Sequence, residues 1–489
     1  MNRSMIRYIL GYVLAVEGLL LLPICLAALY FRETVGIYYL CVSLPALAAG
    51  LLIIRKKPES TVFYLKEGCV STALSWIVLS LLGCLPLWLS GEIPSFTDAL
   101  FETISGFTTT GASIVSNVEG LSHCALLWRS LTHWIGGMGV LVFLLAVVPM
   151  SGGSHMNLMR AESPGPSVGK LVPRVRTTAR ILYLIYLGMT AAELILLLAG
   201  RMPTFDAVCT SLATAGTGGF GIKNSSLAGY SPYIQWVVAV FMLLFAVNFN
   251  MYYLLLLRHY REAFSMEEVR CFFGMVGVAV VVVFASILRQ CAGVFDALTQ
   301  TVFQVASVVS STGFATADFN LWPDLARSVL VLLMFVGACA GSTGGGLKVS
   351  RLVILFKSIR KEFGMYIHPR SVKKIKMDGK PVEHEVVRST NVYFITFMLV
   401  FAGSFLVVTS EGGDLITDFT AVIATLNNIG PGLGLVSPAG NYAMFSTLSK
   451  WVLMFDMLAG RLELFPMLIL FHPAIWRDVA ASRKKRIRQ

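Results

Sequence analysis

Residues 204–221 read TFDAVCTSLATAGTGGFG, and the fold turns on what the glycines at the end of this stretch do. Gly216, Gly218 and Gly221 satisfy G-x-G-x-x-G, the spacing of a turn that cradles a dinucleotide pyrophosphate. That reading requires a buried strand before the turn, a helix opened by it, and an acidic ribose partner further on. None is in place. The residues before Ala213 read as a short helix, and long apolar runs lie on either side of the whole segment. A second decoy, GSTGGGLK at 341–348, lacks the G-x-x-x-x-G-K-[ST] order of a phosphate loop.

The surrounding chain decides the class. Of 489 residues, 56% are hydrophobic and 13% charged, with a mean hydropathy of +0.73; a soluble chain carries about a quarter charged residues. Ten apolar runs are candidate spans: Ile6–Phe31, Val35–Ile54, Cys69–Ser90, Trp134–Met150, Ile181–Gly200, Ile234–Leu257, Phe272–Leu288, Ser328–Ala340, Val392–Thr409 and Ala443–Phe471. Most approach the roughly 20 residues a bilayer helix needs. The first lacks a small-residue cleavage site and is closely followed by the second, so it reads as a span and not as a signal peptide. Basic residues collect in alternate loops: IRKKPES (54–60), RVRTTAR (174–180), RHYR (258–261), KSIRKEFGMYIHPRSVKKIKMDGK (357–380) and the tail RKKRIRQ (483–489). The opposite loops carry Glu92, Glu119, Asp318, Glu411 and Asp414. With both termini cytoplasmic this satisfies the positive-inside rule. The net charge of +12 is then mostly topology and anionic-lipid contact, with no call for nucleic acid. Nine cysteines and seven histidines are dispersed, without C-x-x-C or H-E-x-x-H, so a metal or redox centre has no support.

The segment at 204–221 recurs. FTDALFETISGFTTTGAS (96–113), VFDALTQTVFQVASVVSSTGFA (294–315) and LITDFTAVIATLNNIGPGLG (415–434) share its form: an apolar run, a half-length apolar helix, a glycine loop and another apolar run. Such a segment is too short to cross a bilayer and too apolar for a solvated loop, so it reads as re-entrant. Alignment makes Gly111, Gly219, Gly313 and Gly430 equivalent, 108, 94 and 117 residues apart. Asp98 and Asp206 lie 13 residues before their glycines and Asp418 lies 12 before, whereas Asp296 lies 17 before, an excess of about one helical turn. The expected fold is all-α and polytopic: a two-helix extension (1–66), then four parallel helix–pore-loop–helix repeats (67–165, 166–262, 263–387 and 388–489) in pseudo-fourfold arrangement around one pore. Four extracellular turns would be the plain alternative for single loops; four at one position favour a pore.

Irregular backbone survives at membrane depth only where it is buried in protein or lines water. Four such segments on an axis can turn carbonyl oxygens toward a cation and replace its hydration shell. The expected ligands lie at Thr109, Thr110 and Gly111, at Gly218 and Gly219, at Thr312 and Gly313, and at Ile429 and Gly430. No ionised side chain lies among them, which points to a large monovalent cation.

In these motifs the chain resembles the membrane subunit of the bacterial Trk potassium-uptake system, in the wider group with the Ktr and plant HKT transporters. The resemblance rests on HWIGGMG (133–139), STGF (311–314), GACAGSTGGGLK (337–348), NNIGPGLG (427–434) and MLAGRLELFP (457–466), and covers nearly the whole chain. It implies potassium uptake across the bacterial inner membrane, in a homodimer bound to a cytosolic nucleotide-binding subunit of Rossmann type. It implies no cofactor beyond the transported potassium ion and whatever nucleotide the partner holds. In the family a serine at the first filter glycine accompanies sodium preference; this chain keeps Gly111. The partner is expected on the basic inner face, at Lys357 to Arg388 and near Arg174 and Arg261.

Below the filter, Gly337, Gly341, Gly344, Gly345 and Gly346 interrupt the second helix of the third repeat. Such a run is a poor helix former and reads as a movable gate loop, with close helix packing as its competitor. Arg461 lies inside the last apolar run, where a charge marks an ion path or a buried pair with Asp456 or Glu463. Lys450 reads as snorkelling, and Asn248 and Asn250 as helix–helix bonding. The leading function is thus a gated potassium pore. Its rivals are a proton- or sodium-coupled potassium symporter, for which Asp456 and Glu463 are the titratable groups at hand, and a membrane enzyme, for which no nucleophile–base pair or metal set is present.

Overall fold

The computed structural model describes residues 1–58, 64–139, 175–370, 374–475 and 477. The later part of the run Trp134–Met150, parts of the basic stretches at 54–60 and 174–180, and the tail 483–489 lie outside them. Among the described residues six helices are long and apolar enough to cross a membrane: Arg3–Phe31, Gly36–Arg55, Leu65–Leu89, Ala179–Ala199, Glu267–Ile287 and His384–Thr409. The first two pack as a hairpin through small residues. A Cβ on Gly18 would lie 2.7 Å from Leu47 N and one on Gly50 2.5 Å from Ala15 N, while Ser43 donates to Gly18 O at 2.6 Å. Without a hydrophobic drive between helices in lipid, this closeness supplies the packing.

Four short helices follow four of the long ones: Phe96–Phe107, Thr204–Ala215, Val294–Val309 and Leu415–Leu426. Their starts follow capping chemistry in two cases, Ser95 accepting from Asp98 N and Asp414 from Thr417 N. The third is 16 residues long where the others have 12. That is the extra turn foreshadowed by Asp296.

Some of the ten candidate spans are broken and not continuous helices. Among the described residues the second helices of the repeats are short, at His123–Met138, Pro232–Ala246, Asp324–Val336 and Thr447–Arg461. At 1.5 Å per residue, helices of 13–16 residues reach about 20–24 Å, less than the roughly 30 Å hydrocarbon core. Gly139 (φ 79°) and Gly337 (φ 70°) end two of them, and Glu463 and Leu464, both left-handed, follow the last. In the second repeat the chain bends by 91° between Pro232–Ala246 and Phe249–Leu256. Breaks were foreseen in the third repeat alone.

On one side of the membrane the hairpin of the first two helices is tied to the first repeat by Glu33. Its carboxylate accepts from His123 N (2.9 Å), His123 Nδ1 (2.8 Å) and Cys124 N (3.1 Å). Burial on its own raises the Glu33 carboxyl, but these bonds from Cys124 and His123 outweigh it and hold the group below its ordinary 4.5. The stability so contributed is complete above the ordinary value and is lost as pH falls through the lowered folded one. Glu33→Gln should therefore unfold at a lower temperature than wild type at neutral pH in detergent, with the two curves converging under strongly acidic conditions. Parallel curves at all pH values would remove the Glu33 tie as the cause.

Candidate functional site

Each short helix ends in the same hydrogen-bond pattern. Thr108 N bonds Ile104 O, Thr109 N bonds Gly106 O, and Thr110 N bonds Ser105 O; the same three bonds recur at Gly216–Gly218, Ser310–Thr312 and Asn427–Ile429. The next two positions of φ > 0 also recur. Thr109, Thr217, Ser311 and Asn428 have φ of 52–57°, and Gly111, Gly219, Gly313 and Gly430 have φ of 77–94°. The residue between each pair lies outside that region. Alternation of this kind turns successive carbonyls to one side of the strand, and the second site admits glycine at least cost.

The four glycines close a ring. A Cβ built on Gly111 would lie 2.1 Å from Gly218 O, on Gly219 1.9 Å from Thr312 O, on Gly313 2.1 Å from Ile429 O, and on Gly430 2.6 Å from Thr110 O. Each loop thus presses its glycine on the carbonyl of the next, and the fourth returns to the first. One cavity of about 140 Å³ touches all four glycines, with Arg129, Lys223, Asn224 and Tyr442 on its wall. The nine residues singled out in the sequence for cation contact all fall on this ring. Its donors are neutral oxygens, so it can dehydrate a monovalent cation without a fixed negative charge.

Several residues outside the expected cation ligands hold the ring. His133, fully buried, pairs Nδ1 with Gly106 O at 2.7 Å and accepts from Phe220 N on Nε2 at 3.2 Å, which fixes its neutral Nδ1–H tautomer. Tyr442 donates to Gly430 O at 2.6 Å, and Asn428 Nδ2 donates to Thr110 Oγ1 at 3.0 Å across the seam between fourth and first loops. Arg129 donates through Nε to Glu102 at 2.8 Å and lies 4.0 Å over the Phe220 ring, joining the first and second loops. Except for Tyr442, 12 residues from Gly430, they have partners at least 27 residues away, so no local spacing could reveal them.

The Gly-rich segment 337–348 is packed against this ring. Gly345 N donates to Ser311 Oγ at 2.6 Å, and a Cβ there would lie 2.5 Å from Asn427 O. A Cβ on Gly344 would lie 2.8 Å from Ser310 O. Gly346 has φ 80° and faces Gly337. Arg461 meets the same place from the fourth repeat. It donates to Thr109 Oγ1 (3.2 Å), Thr343 O and Gly137 O (both 2.7 Å), and also to Gly136 O. The pairs weighed for it are made elsewhere: Asp456 accepts from Ser404 at 2.7 Å, and Glu463 pairs with Arg351. Lys450 is likewise corrected. It is nearly buried and pairs with Asp98 at 2.7 Å, linking the fourth repeat to the first pore helix instead of snorkelling. Asn248 does bond a neighbouring helix, through Glu268, and it also caps the lower half of the bent pair.

Four re-entrant segments ringed by full and broken spans define a helical membrane transport protein. Residues 40–478 match the TrkH family model, described as a cation transport protein. The chain is 36% identical over 486 residues to the Trk system potassium uptake protein TrkH of Salmonella typhimurium, covering 97% of this chain and 99% of that one. It is 31% identical over 488 residues to the Trk system potassium uptake protein TrkG of Escherichia coli, covering 98% and 100%. The crystal structure of the potassium transporter TrkH from Vibrio parahaemolyticus superposes with a TM-score of 0.87 at 32% identity, over 97% of this chain and all of that one. The chain belongs to the TrkH family of cation transport proteins, and a transport family leaves no place for the enzyme reading.

Proposed function

We propose that this protein takes up potassium across a bacterial inner membrane through the four-loop ring, with both termini cytoplasmic. The observation that carries the reading is the closed contact of Gly111, Gly219, Gly313 and Gly430, each on the carbonyl of the next loop, with no ionised group between them. The names of its relatives give the ion, and Gly111 in place of serine favours potassium over sodium. The Gly-rich segment and Arg461 form the barrier beneath. A second copy of the chain and a cytosolic nucleotide-binding subunit are the proposed partners, on the family resemblance and the basic inner loops. Tracer uptake into proteoliposomes under imposed potassium and sodium gradients, repeated with and without a proton gradient, tests the reading. Potassium-selective uptake driven by the potassium gradient alone supports it, and sodium-preferring or absent uptake overturns it.

Coupling to protons is the second reading. It draws on three carboxyl groups within the spans, Glu17, Glu193 and Asp456, each with no exposed surface. A strict requirement for the proton gradient in the same assay would favour it over simple conduction.

A further inference from the structure

The residue that holds the Gly-rich loop in place comes from neither the loop nor the filter. Glu268 is the second residue of the span Glu267–Ile287 and is 1% exposed. Its Oε1 accepts from Ala340 N at 2.6 Å and from Ser350 N at 3.1 Å. Ala340 lies just after the chain leaves Asp324–Val336, and Ser350 lies in the first turn of Val349–Ile367. One carboxylate oxygen therefore ties the entrance of the loop to its exit. The exit tie is also a helix N-terminus, where unpaired N–H groups favour an anion. The other oxygen, Oε2, accepts from Asn248 Nδ2 at 3.3 Å, at the 91° bend of the second repeat. The loop is further stitched to that bend by Cys339 N on Ala246 O (3.0 Å) and Phe249 N on Gly341 O (3.0 Å).

The neighbouring residue faces the other way. Glu267 N donates to Asp378 Oδ1 at 2.7 Å, so Asp378 caps the helix that carries Glu268. Asp378 and Gly379 (φ 50° and 74°) form the tight turn between the paired strands Lys376–Met377 and Lys380–Pro381. Lys357, on the helix that leaves the Gly-rich loop, pairs with Glu267 and donates to Lys376 O at 2.7 Å. The hairpin is thus bonded to both helices that meet at Glu268.

We propose that Glu268 is the positioning residue that pins the Gly-rich loop beneath the filter, and that the Asp378–Gly379 hairpin sets its hold by capping the helix that bears it. This rests on the reading of that loop as the barrier to flux. Moving the hairpin frees Glu267 N and Lys357 together, which lets the carboxylate withdraw from Ala340 and Ser350. The loop then keeps its ties to Ser311, Arg461 and Phe245 in its middle but loses the one that joins its entrance to its exit.

Cys339 lies within the loop and is fully buried, so it reports on the loop's opening. The full-length protein in proteoliposomes is treated with a small hydrophilic thiol reagent, and labelling of the Cys339 peptide is followed by mass spectrometry. Glu268→Gln keeps the side-chain shape and one carbonyl acceptor, while Asp378→Ala changes only the hairpin turn. Local opening of this kind should raise the Cys339 labelling rate by about tenfold for Glu268→Gln and by about threefold for Asp378→Ala. Should Glu268→Gln fail to fold, Asp378→Ala still decides, because its turn lies outside the membrane core. Wild-type labelling rates in both variants overturn the proposal. Rubidium flux is measured on the same vesicles. Faster labelling with unchanged flux would leave the role of Glu268 standing and remove the loop as the barrier.

Discussion

Gly111→Ser should collapse the discrimination between potassium and sodium while leaving the protein folded and inserted. Gly111 has φ 77°, and its Cβ position lies 2.1 Å from Gly218 O. A carbon cannot sit that close, so the added side chain forces either the first loop or the second to retreat by about 1 Å, a large displacement if the ring is the proposed filter, whose selectivity would depend on the number and placement of carbonyl dipoles. The four contacts are cyclic, so relief at one seam is passed to the next. A tenfold loss in the rubidium-to-sodium flux ratio, about 1.4 kcal/mol of discrimination, is the expected scale. Gly219→Ala, with its Cβ 1.9 Å from Thr312 O, should do at least as much. Gly229→Ala is the control, because nothing lies within 4 Å of a Cβ there. Equal flux ratios in all three variants would mean that selection happens away from this ring.

The architecture was legible in the sequence because two signals are local. Apolar runs mark the spans, and the glycine after each half-length helix recurs 12 or 13 residues after an acid, with about one extra turn in the third repeat. The breaks in the second helices were not legible, because hydropathy does not see backbone direction. Val247 and Asn248 carry no glycine or proline, and the run Ile234–Leu257 is evenly apolar through a 91° bend. The one available cue was Asn248, an N-cap residue inside an apolar run. Asp378–Gly379, between Lys376–Met377 and Lys380–Pro381, is a hairpin signal legible in the sequence. Arg461 stands out in the sequence as a charge inside an apolar run, but its partners are backbone carbonyls of two other segments and the Thr109 hydroxyl, which no side-chain pattern announces. The ring-holding residues His133 and Asn428 are hidden for the same reason, each acting on a loop from another repeat, and Tyr442 bonds back to the loop of its own repeat at Gly430 O. Tertiary pairing, and not composition, makes them part of the site.

Arg461→Ala should raise basal flux in the absence of any partner or ligand. The guanidinium reaches the filter itself at Thr109 and spans from the Gly-rich loop at Thr343 to the end of His123–Met138 at Gly136 and Gly137. On the proposed function it acts in two ways, as a positive charge on the path and as a strut between segments from different repeats. For the charge alone, a separation of about 8 Å at an effective dielectric of about 20 gives a repulsion of about 2 kcal/mol, or about thirtyfold in flux. Arg461→Lys separates the two contributions. Lysine keeps the charge but has no planar fork to reach several carbonyls at once, so flux near wild type would assign the barrier to charge, and flux near that of Arg461→Ala would assign it to the strut. Removing Gly344 to Gly346 acts on the opposite wall and takes away the tie of Gly345 N to Ser311. If the loop and the arginine form one barrier, the deletion and Arg461→Ala combined should give less than the product of their separate increases, since each already opens what the other closes. Independent barriers would multiply, and wild-type basal flux in both single variants would place the constriction elsewhere along the axis.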